Sequence, residues 1–415
     1  MAELEAAQPA GSFTDGTHGA PSSGEREDVP LPSAGVTTEI IQSIEGIRAL
    51  KPDYDRLLQV TGNTLPFALH EWHLAWCAHF LKHDPQVDDE PFFCVVRDAA
   101  CTCVAIVPLI VTRRRLGPLT LVVAAPIGAD PGLTEIRGPL VEPGYEEVTV
   151  QVVHESLARL GAWDWIQWSG LNEAMAGALA RETSPQWYEV TEDYVLDLPP
   201  TWQEFRPHLT RNMRESLRHC YNSLRRDRHS FEFVVAREQE EVRQALGRFL
   251  QLHALRANMT RGPKHPDRFA GKTPQAFLYD VCERLAARDA VRVFQLKIGG
   301  DVVASRIGFL AGDCLYLYYS GFDPAWARYS VMTTTVAEAF RYLMTQGIRT
   351  VNLSPIAERS KIRWRPRRLE FRSALVNRQS AGSRVACMAY RLVRSGNGAP
   401  IQMLRRFLWA HRNWS

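Results

Sequence analysis

Between residues 250 and 365 the chain gathers side chains able to move protons and hold anions. Val242, Leu246, Phe249 and His253 recur at i, i+4, i+7 and i+11, which predicts a helix over 239–257 with the imidazole on its apolar stripe. A histidine there is either a satisfied core residue or, facing a cleft, a general base, since its unperturbed pKa of about 6.5 suits that task. Glu358 follows a strand read over 349–353 and is either a second base or a solvated surface charge. Tyr316 and Tyr318 share one strand face, where a phenol either protonates a leaving group or simply packs. Lys361 and Trp364 sit among Arg359, Arg363, Arg365, Arg367 and Arg368, as a substrate contact or as a basic surface turn. A second basic run, 206–228, reads as one helix: either a solvated face, or a surface for an anionic acceptor, a nucleotide-linked or lipid-linked donor, or a membrane.

The elements that position these residues follow from turn signals. Strands over 291–298, 302–310 and 314–321 are separated by Gly299-Gly300 and Ala311-Gly312-Asp313, which predicts an antiparallel meander. Asp323-Pro324 stops the third strand, a helix is read over 333–345, Gly347 ends it, and 349–353 is the next strand. That order is a β-α-β crossover, so the last two strands should be parallel. The tip of a crossover helix turns orphan N–H groups toward the preceding loop, which makes 328–333 a candidate anion site, with charge from Arg328 and hydroxyls from Ser330 and Thr333. Thr273-Pro274 predicts a helix start, with Phe277, Leu278, Val281 and Leu285 as its apolar stripe. In the first half, 66–80 reads as a helix with an aromatic face (Phe67, Trp72, Trp76, Phe80). Strands follow over 91–97, 103–113 and 119–127, then a short run at 134–141, a helix over 148–160 and a strand over 164–168. Both halves end in helix, glycine, strand and serine (Ser169, Ser354), which suggests a duplicated domain.

Composition bounds the rest. A chain of 415 residues, 45% hydrophobic and 23% charged, is expected to be soluble and to hold more than one domain. Lys+Arg of 49 against Asp+Glu of 46 speaks against a protein built to coat nucleic acid, and no specific nucleic-acid binding is expected. The apolar runs at 101–112 and 119–127 fall short of the roughly 20 residues that span a bilayer. The start, Met1-Ala2-Glu3-Leu4-Glu5, shows no signal-peptide pattern, and eight scattered cysteines without a CxxC read as reduced thiols. A cytoplasmic protein is the expectation. Cys101 and Cys103 are expected on one face of a strand, packed in the core rather than holding zinc. The expected organisation is a disordered tail over 1–36, domains over 37–198 and 199–380, and a basic helical tail over 381–415. The last stretch of that tail, 400–415, either lies at a lipid interface or packs back on the domain.

Helix, three-strand meander, crossover helix and fifth strand together resemble the GNAT acyltransferase core. The run Gly321-Phe322-Asp323-Pro324-Ala325-Trp326-Ala327-Arg328-Tyr329-Ser330 resembles the GFDP-x-W-x-x-YS signature of the CelD/BcsL-like acetyltransferases, relatives of the FemAB-like tandem GNAT proteins. Leu252-His253, Val303-Ala304 and Lys361 with Trp364 fit the same pattern. The resemblance implies a mixed α/β fold of two GNAT-like domains. It implies acetyl-CoA, or another acyl-CoA, as co-substrate, held by Tyr319, Ser320, Arg328, Tyr329, Ser330, Val331, Met332 and Thr333. A backbone N–H near Tyr318 to Ser320 would steady the oxyanion. His253, Tyr318 and Glu358 are the implied catalytic residues, and Asn352, Lys361 and Trp364 would face the acceptor. Transfer would be direct, with no metal, to an amine or hydroxyl on a small molecule or on a glycan or cell-envelope precursor. The implied setting is exopolysaccharide or envelope synthesis, with peripheral membrane contact. The chain departs from the pattern in three places: Val331-Met332 stands where a glycine is usual, Asn352 where an acidic residue is usual, and Ser360 where a tyrosine is usual. Two other readings stand beside this one: a FemAB-like aminoacyl transferase fed by aminoacyl-tRNA, and a non-catalytic scaffold with the same fold.

Overall fold

Runs of β-branched and aromatic residues bounded by turn residues become strands in both halves of the chain. The structure is a computed structural model that describes residues 35–388, apart from 117–118, 131, 162, 261–264, 379, 381 and 386. Residues 1–34, most of the expected N-terminal tail, and the C-terminal helix read over 400–415 lie outside the described residues. The first half runs β1 (Thr37–Ile41), α1 (Ile44–Ala49), α2 (Lys51–Thr61), α3 (His70–Phe80), β2 (Val87–Arg97), β3 (Cys103–Leu116), β4 (Leu119–Pro126) and β5 (Leu140–Val141). It continues through α4 (Glu146–Arg159), β6 (Trp165–Leu171), α5 (Glu173–Glu182) and β7 (Gln186–Asp197). The second half runs α6 (Trp202–His208), α7 (Arg211–Arg226), β8 (Phe231–Ala236), α8 (Gln239–Ala257), α9 (Lys272–Ala286), β9 (Val291–Ile298), β10 (Asp301–Ala311) and β11 (Cys314–Phe322). It ends with α10 (Val331–Thr345), β12 (Thr350–Asn352), α11 (Arg359–Ile362) and β13 (Arg367–Asn377).

Among the described residues these strands form one mixed sheet in the order β1-β2-β3-β4-β6-β13-β7-β12-β11-β10-β9-β8, with β5 on β3. When β8, β9, β10, β11, β12 and β13 are matched to β1, β2, β3, β4, β6 and β7, the order reads the same from both ends. The repeat suggested by the two similar endings is therefore present in the topology. The crossover pairs β4–β6 and β11–β12 are both parallel, while β9, β10 and β11 form the antiparallel meander. This is the mixed α/β, two-half architecture the sequence led us to expect.

The seam between the halves is not what chain order suggests. β7 lies between β13 and β12, and β13 lies between β6 and β7, so each half lends its last strand to the other. The basic run after Trp364, read as a substrate contact or a basic surface turn, is strand β13, whose Arg367 and Arg368 pair with Val195 and Tyr194. The single basic helix read over 206–228 is two helices, because Pro207 interrupts the first and Thr210 caps the second by accepting from the Met213 N–H at 3.2 Å. The cap of α9 is Gly271 rather than Thr273. Cys101 is exposed in a turn at φ 60°, and Cys103 alone of that pair enters the core.

The two faces of the sheet carry different cores. On one face the aromatic side of α3 packs across onto the second half, with Trp72 and Phe80 each 5.2 Å from Phe277. Tyr316 and Tyr318 of β11 belong to that core, together with the buried stripes of α8 and α9. On the other face Leu315 and Leu317 pack with α10, Phe205 and Trp364.

Candidate active site

β11 and β12 pair over three residues only, Cys314 to Tyr316 against Thr350 to Asn352. Past that point the chain after β12 turns toward β7, and the Leu353 N–H donates to the Tyr194 carbonyl at 2.7 Å. Asn352 fixes the bend. Its Oδ1 accepts from the Ser354 N–H at 2.7 Å, and its Nδ2 donates to Asp193 at 2.6 Å. The strands therefore part, and a cavity of about 380 Å³ opens between 317–320 and 353–356, with Met332 and Thr333 on its wall. Three non-glycine residues around the opening hold left-handed backbone: Ser330 at φ 54°, Ser354 at 68° and Ile356 at 75°. Each such residue costs on the order of 1–3 kcal/mol, and strain of this kind collects at functional sites.

The tip of α10 forms one end of the cavity. No glycine is needed for the turn into it, because Ser330 takes the left-handed conformation itself (φ 54°, ψ 43°). Beside the tip, Arg363 donates to Thr333 Oγ1 at 2.7 Å, while its buried Nε has no partner among the described residues. That cation, not Arg328, accompanies the helix tip. Arg328 lies over the Tyr329 ring and 3.8 Å from Asp227, and is absent from the cavity wall. Tyr329 is buried and donates to Asp227 at 2.8 Å, and Val331 is buried in a small core with Leu224 and Leu296. The signature run thus shapes the approach to the tip: Asp323 caps a 3₁₀ turn over Pro324–Tyr329 by accepting from the Ala325 N–H, and Trp326 packs on His229.

His253 lines the cavity, but both of its ring nitrogens are engaged. Nδ1 donates to the Ser320 carbonyl at 3.0 Å, and Nε2 accepts from the Arg268 N–H at 3.3 Å. Burial, the largest effect, holds its pKa below the usual histidine range. Through these bonds the ring ties β11 to α8, with the Asp267 carboxylate 3.7 Å from Nε2. Tyr318 is likewise committed: its buried hydroxyl donates to the Leu133 carbonyl at 2.6 Å. Tyr319 donates to the Gly132 carbonyl at 2.6 Å, and Ser320 Oγ accepts from Arg256 at 2.7 Å.

Asn352 does not reach this cavity; it lines a separate pocket of about 220 Å³ beside Asp193. Trp364 is buried against Phe340 at 4.8 Å and offers only an edge to the cavity. Lys361 donates to Ser354 Oγ at 2.9 Å and to the Pro355 carbonyl, bracing the strained loop. Burial first, then Arg306, lowers its pKa to about 8. Glu358 stands at the mouth, where its Oε2 accepts from Ser360 at 3.1 Å.

Several wall residues were not singled out in the sequence, among them Arg256, Arg268, Arg306 and Glu135. Glu135 comes from the first half and reaches the cavity on the segment 130–136. Asp130 folds that segment by accepting from the Leu133 N–H at 2.6 Å and the Thr134 N–H at 3.0 Å. Trp76 donates to Asp130 at 3.2 Å and Trp72 to Thr134 at 3.1 Å. From the other side Tyr316 donates to Glu135 Oε2 at 2.7 Å, so three tyrosines of β11 hold 132–135. Desolvation raises the Glu135 carboxyl to about 7, against the opposing effects of Tyr316, Lys361 and Arg306. The sequence signal was an acid inside the short run read over 134–141. Across the cavity Arg256, Arg268, Arg306, Lys361 and Arg363 face two carboxylates, Glu135 and Glu358. That excess suits an anionic ligand. The equivalent helix of the first half, α4, opens instead with Glu146 and Glu147, charges that oppose an anion.

Residues 211–362 match the family model described as an acetyltransferase (GNAT) domain. The match supports acyl transfer as the chemistry of this segment and does not distinguish the CelD/BcsL-like group within the family. No curated protein matches the chain. Among solved structures it is similar to L-PGS from Bacillus licheniformis, at 12% identity and TM-score 0.46 over 82% of this chain and 94% of that one. It is also similar to FemX, at 10% identity and TM-score 0.46 over 73% and 94%. A third likeness is a tandem GNAT protein from the clavulanic acid biosynthesis pathway, at 12% identity and TM-score 0.44 over 83% and 100%. These are distant likenesses, and the reading of the site rests on its own geometry.

Proposed function

We propose that the protein transfers an acyl group from a coenzyme A thioester to an amine or hydroxyl acceptor in the cavity between β11 and β12. The parting of these strands after Tyr316 and Asn352, closed at one end by the α10 tip and Arg363, carries the reading. The donor's diphosphate would lie at Met332, Thr333 and Arg363, beside the Met332 N–H, a guanidinium and the positive end of the helix dipole, the Thr333 N–H being donated to the Ser330 carbonyl at 2.8 Å. Its pantetheine arm would run along the free side of 317–320. Acetyl-CoA is the simplest donor. The excess of cations favours an acceptor with its own phosphate or carboxylate, such as a small molecule or a glycan or envelope precursor. An exopolysaccharide or envelope setting, on the cytoplasmic side at the membrane periphery, belongs to this proposal. Among the described residues no helix is long and apolar enough to cross a membrane.

Isothermal titration with acetyl-CoA tests it. Saturable binding that Thr333→Glu abolishes is the expected result, and no binding to the wild type overturns the proposal. A second reading, an aminoacyl-tRNA donor, draws on a groove of about 730 Å³ lined by Trp202, Arg206, Arg214, Arg218, Tyr221 and Arg341. It predicts tRNA binding that weakens steeply with salt, without acetyl-CoA binding. Binding of neither ligand leaves the scaffold reading.

A further inference from the structure

The sheet has two faces at the cleft, and the candidate groups divide between them. Leu315 and Leu317 point to the side of α10, where the donor's diphosphate would sit. Tyr316 and Tyr318 point to the opposite side, into the core shared with α3. Tyr316 is the last residue of β11 paired with β12, so its hydroxyl marks the apex of the opening. Glu135 is fastened to that hydroxyl. A donor threaded through the cleft from α10 would present its thioester carbon toward Glu135, and an acceptor would meet it from the face of Glu135.

We propose that Glu135, supplied by the first half of the chain, is the general base that takes the acceptor's proton in the second-half cleft. This inference rests on the transferase reading above and gives the first half a catalytic role. The step balances without another reactant. As the acceptor's N or O bonds to the thioester carbon, its proton passes to the Glu135 carboxylate. The C–S bond then breaks, and the leaving thiolate takes a proton from the Glu135 carboxyl. An acceptor that arrives as an ammonium first passes its extra proton through the Glu135 carboxylate to solvent, a transfer that an uncharged acceptor does not need.

The geometry also separates Glu135 from its competitors. His253 has no free nitrogen, Tyr318 is spent on Leu133, and Glu358 is at the mouth rather than the apex. The charged and titratable groups facing Glu135 are Arg306 on β10, Tyr316, Tyr318 and Tyr319 on β11, Lys361 on α11 and Asp193 on β7. The balance of desolvation against these groups sets the carboxyl at about 7, where it is both substantially ionised at neutral pH and basic enough to accept a proton.

The test follows enzyme-dependent thiol release from acetyl-CoA with ethylamine or hydroxylamine as acceptor, in the wild type, Glu135→Gln and Tyr316→Phe. Acetyl-CoA affinity is measured first. If the wild type does not bind, the transferase reading fails, a separate result from failure of the base. With binding equal in all three, Glu135→Gln is expected to slow ethylamine transfer about 10²–10⁴-fold. Hydroxylamine, largely unprotonated at neutral pH, should lose far less. The wild-type rate should rise with pH through about 7. Glu135→Gln should abolish that limb, and Tyr316→Phe should move it to higher pH, because the lost hydrogen bond favours the ionised carboxylate. Equal losses for both nucleophiles, an unchanged limb in Glu135→Gln, or no wild-type thiol release despite binding each overturn the proposal.

Discussion

Gly321 has an ordinary backbone conformation, yet no side chain fits there. A Cβ at this position would lie 2.3 Å from the His253 nitrogen and 2.5 Å from the Leu252 carbonyl carbon, both in the backbone of α8. The shortest of these contacts must open by about 1.1 Å to reach the 3.4 Å of ordinary contact. No rotamer change can relieve a clash with helix backbone, so α8 must move off β11 and stretch the bond from His253 to Ser320. Overpacking at the upper end, about 3 kcal/mol, plus about 1 kcal/mol for that hydrogen bond, gives roughly 4 kcal/mol for Gly321→Ala. At about 2 °C per kcal/mol this lowers the Tm by about 8 °C. Gly308→Ala adds the same methyl against side chains, Leu315 at 2.9 Å and Phe294 at 3.0 Å, which can give way. It should cost about 1 kcal/mol, or about 2 °C. Calorimetry on the two variants decides the matter. If Gly321→Ala melts no lower than Gly308→Ala, the close approach of α8 to β11 is not what requires the glycine.

Arg363→Ala should weaken acetyl-CoA binding about 10–100-fold, the value of a charge-assisted hydrogen bond, whereas Arg328→Ala should change it less than about twofold; titration calorimetry distinguishes them. His253→Ala removes one donor and one acceptor from buried backbone partners and should cost about 1–3 kcal/mol in a melting experiment, while the acid limb of the rate profile stays in place. Lys361 carries a pKa of about 8 in the fold against 10.5 in the open chain. Between these values the unfolded chain binds more protons, so this group adds stability as pH rises from about 8 toward 10.5. The Tm difference between wild type and Lys361→Met should therefore move in favour of the wild type over that range, and a flat difference would count against a buried, discharged lysine.

Much of the second half was legible from local pattern. The stripe of α8, the glycine turns of the meander and the order strand, loop, helix, strand all depend on residues close in sequence, and the crossover rule then makes β11 and β12 parallel. The strands that bind the halves together were not legible. In β7 and β13 charged residues alternate with apolar ones, and their partners lie in distant parts of the chain, as Arg372 pairs with both Val190 and Leu171. Strand propensity depends on such partners.

The candidate site divides in the same way. Sequence alone determined that a crossover helix would present its tip beside a strand end, because turn residues and periodicity are local. It also placed His253 on the apolar stripe of its helix, whereas the left-handed entry at Ser330 came only with the structure. Tertiary structure alone decided which charges gather there. Arg328 is drawn to Asp227, Arg363 takes the place at the helix tip, both nitrogens of His253 are spent, and Glu135 crosses from the other half to Tyr316. Desolvation and hydrogen bonding depend on what surrounds a group in space, and for Glu135 those surroundings come from four elements far from it in the chain.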